Sequence, residues 1–293
     1  MKEQLKGSLL LLLGTIIWGC AFVAQSVAMD HIGPFAFQTG RSLLAVAALV
    51  PVTVLFDRGK SGTWLSRWTD QRLWKPGLLC GTALFVASGL QQMGMVYTDA
   101  GKAGFLTAMY IVLVPVLGLF LGKRPGALVW ISVALAAGGL YLLSCVGVSS
   151  VNIGDLCLIG CAFAYAVQIV LVDRFAGGLD GLRLNTIQFF VVAVLSALVM
   201  LFTETPTWEG VLASSGALLY TGVLSSAVGF TLQIVGQQRL SGERAALIMS
   251  LESVFAVLAG WLILSQTLSG TESIGCVLVF SAVLLSQWQP KRR

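Results

Sequence analysis

Three charged side chains lie within apolar stretches of the sequence, and they are the first candidates for function. Arg41 stands eight residues into one such stretch, Glu252 lies at the centre of another, and Lys102 begins a third. A charge at that depth in a membrane needs a partner, a water-filled cavity or a ligand, because hydrocarbon cannot solvate it. We therefore expect these positions to mark either a binding site or fixed ion pairs.

The Arg41 helix face carries groups that suit recognition of a carboxylate. Phe37 and Gln38 share this face by helical spacing. A guanidinium can grip a carboxylate with two hydrogen bonds, while the neighbouring ring covers the apolar part of the ligand. The alternatives are a structural ion pair or a side chain that extends to the outer headgroups.

Glu252 and Lys102 each allow two interpretations. Small residues share the Glu252 face, so this carboxylate should point inward, where it could exchange a proton during transport or bind an amino group. The alternative is a fixed pair with Arg41 or Lys102 that holds two halves of the protein together. Lys102 could reach outer water or Asp99, or it could recruit an anionic group.

The composition requires a membrane environment for these residues. The chain has 293 residues, of which 57% are hydrophobic and 11% charged, and its mean hydropathy is +0.88. These values exclude an ordinary soluble domain. Stretches of about 20 apolar residues predict ten transmembrane helices. They lie at 8–29, 33–56, 76–97, 102–121, 126–147, 153–173, 184–203, 210–232, 244–264 and 270–288.

Two parts of the chain, the N-terminus and one connection, allow a second interpretation. Lys2 and Lys6 before the first apolar run resemble a signal peptide, but the run is long and nine more follow, so we expect an uncleaved helix. The connection 57–75 is rich in Trp and basic residues and could be an interfacial helix or an ordinary basic loop.

The charge distribution predicts the orientation. With a cytoplasmic N-terminus, 16 of the 18 Lys and Arg residues fall on the inner side, and only Arg41 and Lys102 do not. This bias places both termini in the cytoplasm of a multi-pass protein of the inner (plasma) membrane. The net charge of +5 therefore reflects topology and contact with the lipid bilayer, and we expect no nucleic-acid partner.

Several cofactor-dependent functions are not expected from this sequence. The only histidine, His31, lies in an outer turn, and the six cysteines lie in apolar spans without further ligands nearby, so we predict no metal site and no disulfide. The chain has no glycine-rich phosphate loop, hence no ATP-binding site of its own, and no cofactor is indicated.

The two halves of the chain resemble each other. A shift of 147 residues aligns Trp18 with Tyr165 and Arg41 with Gln188, and a shift of 143 aligns Tyr110 with Ser253. We predict an all-α membrane protein with five helices in residues 1–148 and five in 149–293. Because five is odd, the second repeat enters the membrane from the opposite side, and such inverted repeats place a shared site near the midplane.

The repeat suggests further site residues. Trp18 and Tyr165 occupy equivalent midplane positions, where they either pack the core or flank a cavity for an apolar or aromatic substrate. Tyr110 follows Lys102 along one helix face. Four glutamines add hydrogen-bonding groups; some must satisfy each other, and Gln188 is the expected counterpart of Arg41. The predicted substrate-binding residues are therefore Arg41, Gln38, Trp18, Tyr110, Tyr165, Gln188 and Glu252.

Particular segments resemble the ten-helix EamA-type carriers of the drug/metabolite transporter superfamily. They are the segments 18–22, 37–41, 97–106, 154–155 and 251–254. The chain departs from similar proteins at Ser253, where they often have Pro, and at Gln266, where they often have Glu. The missing proline removes a helix break that is otherwise expected in the ninth span.

The resemblance implies a secondary transporter of a small-molecule substrate and not an enzyme. We expect export of an amino acid or related amphipathic metabolite by alternating access, with Glu252 as a possible proton-coupling group. A multidrug or cationic-compound efflux pump is the main alternative. An intramembrane lipid-modifying enzyme is a remote one, because the sequence offers few acid–base groups.

Overall fold

The computed structural model describes residues 2–58, 63–98, 100–144, 152–264 and 269–287, and within these ranges all regular structure is helical. Ten long helices follow one another along the chain. They are α1 (Lys2–Met29), α2 (Pro34–Asp57), α3 (Gln71–Met95), α4 (Ala100–Ala108 continued by Tyr110–Phe120), α5 (Ala127–Ser144), α6 (Ile153–Phe175), α7 (Gly181–Thr203), α8 (Ser215–Gln237), α9 (Gly242–Met249 continued by Leu251–Leu264) and α10 (Gly270–Gln287).

Within the described ranges, nine of these helices have the length and apolarity needed to cross a membrane, and α5 supplies a shorter apolar helix. The prediction of an all-α protein with ten spans is confirmed. The sequence placed the starts of α1 and α3 too late, because amphiphilic first turns precede their apolar windows. A short helix, Trp208–Ala213, also precedes α8.

Polar side chains fix several helix starts. Asn152 and Asp155 form a capping box at the start of α6, each side chain accepting a hydrogen bond from the other residue's backbone N–H. Asp180 accepts hydrogen bonds from the first N–H groups of α7, and Asp70 accepts one from Arg72 in α3. In the described part of the basic connection, 63–70, the only helical turn is Leu65–Arg67, so this part is a loop and not an interfacial helix.

The ten helices pack in a pattern that is unchanged when the first five are exchanged with the last five. The α1 helix packs on α8 and α9, and α6 packs correspondingly on α3 and α4. Three contacts join equivalent helices and so are unchanged by the exchange: α2 with α7, α4 with α9, and α5 with α10. The contact of α3 with α7 is equivalent to that of α8 with α2. These major contacts join one half to the other, so the halves share one core. The predicted repeat boundary at 148/149 lies outside the described residues and stays a prediction.

Contacts at both ends show that α2 and α7 run antiparallel. At one end, Asp57 in the last turn of α2 pairs with Arg183 in the first turn of α7. At the other, the Glu204 carboxylate after α7 accepts hydrogen bonds from the backbone N–H groups of Phe35 and Ala36 in α2, at 2.9 and 2.8 Å. An antiparallel arrangement of equivalent helices is what an inverted repeat requires.

Glycines allow α3 and α7 to approach each other closely. A Cβ on Gly77 would lie 2.5 Å from Ile187, and one on Gly81 would lie 2.7 Å from Val191. This is the close packing that small residues permit in membranes, where helices gain little from hydrophobic association. Gly122 has another role, since its φ of +77° ends α4 in a left-handed turn.

Candidate functional site

A cavity with about 500 Å³ of empty space, its opening included, lies among α1, α2, α3, α4, α6, α8 and α9. Five of the seven predicted substrate-binding residues line it: Trp18, Arg41, Tyr110, Tyr165 and Glu252. The other two, Gln38 and Gln188, are fully buried in the surrounding packing. The cavity is thus built from both halves of the chain.

Arg41 is held at the cavity by a neutral partner. Its side chain is almost entirely enclosed, with 4% of the residue exposed, and Nη1 donates a hydrogen bond of 2.8 Å to Oε1 of Gln25. The guanidinium carbon lies 5.8 Å from the centre of the Phe37 ring, as its place on the same helix face suggested. No carboxylate of the described residues lies within ion-pair distance of this guanidinium, and its buried Nε has no acceptor among them. Among the described residues, this charge is therefore stabilised by a neutral acceptor and not by an ion pair.

Glu252 is held by a tyrosine. The Tyr110 hydroxyl donates a hydrogen bond of 2.9 Å to Oε1 of Glu252, which is 6% exposed. The alternative of a fixed pair with Arg41 or Lys102 is not found among the ion pairs of the described residues. Lys102 instead pairs with Asp155, at 2.6 Å. Asp99, the partner considered from sequence, lies outside the described residues.

Both α4 and α9 are interrupted next to these two groups. In α4 the helix breaks at Met109, where Val112 N bonds back only three residues to Met109 O, and Pro115 in the next turn has no N–H to donate. In α9 the break falls at Ser250, with a similar three-residue bond from Ser253 N. The prediction that α9 would lose its break without a proline at 253 is therefore wrong. Tyr110 directly follows the first break, and Glu252 is the second residue after the other.

Aromatic rings form much of the remaining wall. Tyr110 and Tyr165 meet edge to face with their centres 6.5 Å apart, and Trp18 lies 5.0 Å from Phe230. The Trp18 indole N–H donates to the Ser225 carbonyl in α8, at 3.2 Å. The rings supply apolar surface whose orientation is fixed by packing and hydrogen bonds.

The two predicted glutamines belong to the supporting shell. Gln38 donates to the Phe85 carbonyl at 3.3 Å. Gln188 accepts from Gln168 at 3.0 Å, so some glutamines satisfy each other as expected, but the partner of Arg41 is Gln25. Gln25 and Gln233 also line the cavity and were not predicted; their only sequence signal is a polar residue within an apolar run.

The site offers a binding surface with one cation, one carboxylate and several rings. Among the described residues, no group of three or more His, Cys, Asp or Glu side chains is placed to hold a metal ion. The arrangement suits an amphipathic ligand that carries both a negative and a positive group.

Comparison with known proteins places the chain in a family. The chain matches the EamA-like transporter family twice, over residues 5–145 and 152–288. It is 31% identical over 284 residues to a protein of Archaeoglobus fulgidus described as an uncharacterized transporter, covering 97% of this chain and 86% of the relative. It is 25% identical over 224 residues to the threonine/homoserine exporter RhtA of Salmonella typhimurium, covering 75% of this chain and 72% of that protein.

The architecture also matches a solved structure. A protein crystal structure superposes with a TM-score of 0.78 at 18% identity and covers 96% of both chains. The family and the names of the relatives describe transporters and not enzymes, as the sequence motifs predicted. The chain is a multi-pass membrane protein that belongs to the EamA-like transporter family of the drug/metabolite transporter superfamily.

Proposed function

We propose that this transporter exports a small metabolite that carries both a carboxylate and an amino group, such as an amino acid. The observation that carries the proposal is the presence of Arg41 and Glu252 in the wall of one cavity, each held by a neutral side chain. A buried charge without an ionic partner costs stability, and a ligand of opposite charge offsets that cost. The relative named as a threonine/homoserine exporter supports this substrate class.

Each part of the ligand has a complementary group. The substrate carboxylate would bind the Arg41 guanidinium, whose Nε has no acceptor among the described residues. The ammonium would bind Glu252, and an apolar side chain would contact the Tyr165 and Trp18 rings. Glu252 could also pass a proton during the cycle, with Tyr110 as its hydrogen-bond donor.

Alternating access would use the two-fold relationship of the halves. The breaks in α4 and α9 lie beside the cavity, and interrupted helices allow one part of a span to move without the other. The positive charges favour an inner-membrane protein with both termini in the cytoplasm.

Counterflow of labelled amino acids in proteoliposomes tests the proposal. We expect Arg41→Gln and Glu252→Gln each to lower the transport rate about 10- to 100-fold, the range of a lost charge-assisted hydrogen bond. Arg72→Gln and Glu209→Gln are the matched controls, because both residues are exposed and lie away from the cavity. Wild-type rates in both cavity variants would exclude this site.

Efflux of organic cations is a second candidate, because five aromatic side chains line the same cavity as the Glu252 carboxylate. The same variants separate the candidates. A cation pump would need Glu252 but would keep, or raise, its activity in Arg41→Gln, whereas an amino acid exporter would lose activity in both.

A further inference from the structure

Five amide side chains from α6, α7 and α8 form one continuous buried chain of hydrogen bonds. Nε2 of Gln188 donates to Asn185 at 3.3 Å, and Nε2 of Gln168 donates to Gln188 at 3.0 Å. Nε2 of Gln233 then donates both to Gln168 at 3.0 Å and to Gln237 at 2.9 Å. We call this set the amide chain.

Backbone carbonyls determine the direction of the amide chain at its two ends. Nδ2 of Asn185 donates to the carbonyls of Ser226 and Ala227, at 3.3 and 3.1 Å. Nε2 of Gln237 donates to the carbonyl of Ile169, at 3.1 Å. A carbonyl can only accept a hydrogen bond, so the NH₂ group of each terminal amide must face it, and each amide oxygen must face back along the chain.

These constraints meet at Gln233. The Asn185 oxygen accepts a hydrogen bond from the NH₂ group of Gln188, so the Gln188 oxygen faces Gln168. That oxygen accepts from Gln168, and the Gln168 oxygen in turn accepts from Gln233. From the other end, the oxygen of Gln237 requires the second N–H of Gln233. Both amide protons of Gln233 are thereby used inside the protein.

Gln233 is the member of the amide chain that lines the cavity. The residue is 2% exposed, and its Oε1 receives no hydrogen bond from the described residues. This oxygen is not among the fully buried atoms, so it retains contact with the space of the cavity. We infer that Gln233 presents a fixed acceptor to the cavity and selects substrates that carry a hydrogen-bond donor, an ammonium or a hydroxyl. The inference rests on the proposed function for the substrate class and names a specificity residue beyond Arg41 and Glu252.

Gln91 provides a matched comparison, because it also lines the cavity but is not fixed in direction. Its two contacts, to the hydroxyls of Thr107 and Tyr165, are each 3.4 Å long. A hydroxyl can donate or accept, so the Gln91 amide can present either its oxygen or its NH₂ group to a ligand.

Ligand discrimination tests the inference. Threonine is compared with its N-trimethyl derivative, which keeps the positive charge but has no N–H, and with O-methylthreonine, which has no hydroxyl proton. Each compound is tested as an inhibitor of labelled amino acid counterflow. The wild type should bind threonine about tenfold or more tightly than at least one analogue, because one hydrogen bond to a charged group contributes that much to affinity. In Gln233→Leu that ratio should fall severalfold, because the hydrogen bond to Gln233 is lost, while Gln91→Leu should retain it. An unchanged ratio in Gln233→Leu would overturn the inference.

A second measurement needs no substrate and addresses the direction of the amide chain itself. In protein labelled with ¹⁵N-glutamine, both side-chain N–H protons of Gln233 should exchange with water at least about tenfold more slowly than those of Gln91, since each is hydrogen-bonded. Gln237→Leu removes one acceptor and should release one of these protons.

The two measurements separate the possible failures. Absence of amino acid transport by the wild type would refute the proposed function, and the proton exchange of Gln233 would then decide the present inference alone. Exchange as fast as that of Gln91 would show that Gln233 is free to rotate and would overturn it.

Discussion

Asp57 and Glu204 occupy equivalent positions at the C-terminal ends of α2 and α7, and each contacts the first turn of the other helix. They are 147 residues apart, the same shift that aligns Arg41 with Gln188. This shift also aligns Ala36, which contacts Glu204, with Arg183, which contacts Asp57. The same helix pair is thus fastened at both ends by equivalent acids, with a backbone contact at one end and an ion pair at the other.

The Glu204 contact should protect the start of α2. Glu204→Gln removes the charge that two backbone N–H groups share, and we expect a local loss of about 1–3 kcal/mol. Hydrogen exchange at Phe35 and Ala36 should therefore become about tenfold faster or more, as measured by mass spectrometry of peptides covering 33–38.

Asp57→Asn is the matched control for this experiment. It weakens the contact with Arg183, so exchange should increase at the start of α7 and stay unchanged at Phe35 and Ala36. Equal changes at both ends in both variants would contradict independent end contacts.

The crossing of α1 and α9 should tolerate no side chain at Gly19. A Cβ there would lie 2.4 Å from the Cβ of Phe255 and 2.8 Å from the backbone N of Ala256. We expect Gly19→Ala to lower the free energy of unfolding by about 1–3 kcal/mol through overpacking. Gly138→Ala, with nothing within 4 Å, should instead stabilise α5 by about 0.5–1 kcal/mol. Thermal unfolding in detergent measures both, and equal midpoints would refute the close crossing.

The buried pair between Lys102 and Asp155 should matter far more than an exposed one. Asp155 also caps α6, so Asp155→Asn removes both a capping carboxylate and its charge pair with a mostly buried ammonium, and we expect a loss of about 3–5 kcal/mol. Asp70→Asn breaks a pair with Arg72, which is 82% exposed, and should cost at most about 1 kcal/mol. Unfolding titrations of the two variants test this difference; similar losses would contradict it.

Removal of one hydroxyl should reveal whether Tyr110 positions Glu252. Tyr110→Phe keeps the ring contact with Tyr165 but removes the hydrogen bond to Glu252, so we expect about a tenfold lower transport rate with the fold unchanged. Tyr97→Phe, at a residue that is 60% exposed, should have no effect on transport. A full rate in Tyr110→Phe would exclude this hydrogen bond from the transport mechanism.

The sequence predicted the fold well because hydropathy and charge report directly on membrane insertion. The ten spans follow from apolar windows. Arg41 and Glu252 were singled out because a charge in an apolar span is costly to bury, and both line the cavity. Their aromatic neighbours Trp18, Tyr110 and Tyr165 were found from helical spacing and the repeat.

The neutral partners could not be predicted in the same way. An isolated glutamine in an apolar helix gives no information about which helix it faces, so Gln25 as the partner of Arg41 became visible only through tertiary packing. The same holds for the pair between Asp155 and Lys102, which joins α6 to α4. The direction of the amide chain depends on contacts among three helices.

Access to the cavity from both sides of the membrane is the most direct test of the transport mechanism proposed here. Ala21 lines the cavity and is almost fully buried, so a single cysteine at this position, in a chain whose native cysteines are replaced, reports on entry of a membrane-impermeant thiol reagent. We expect labelling from either face of oriented vesicles, and protection from both faces by a transported amino acid. Labelling from one face alone under all conditions, or labelling that no transported compound slows, would contradict a central site that opens to each side in turn.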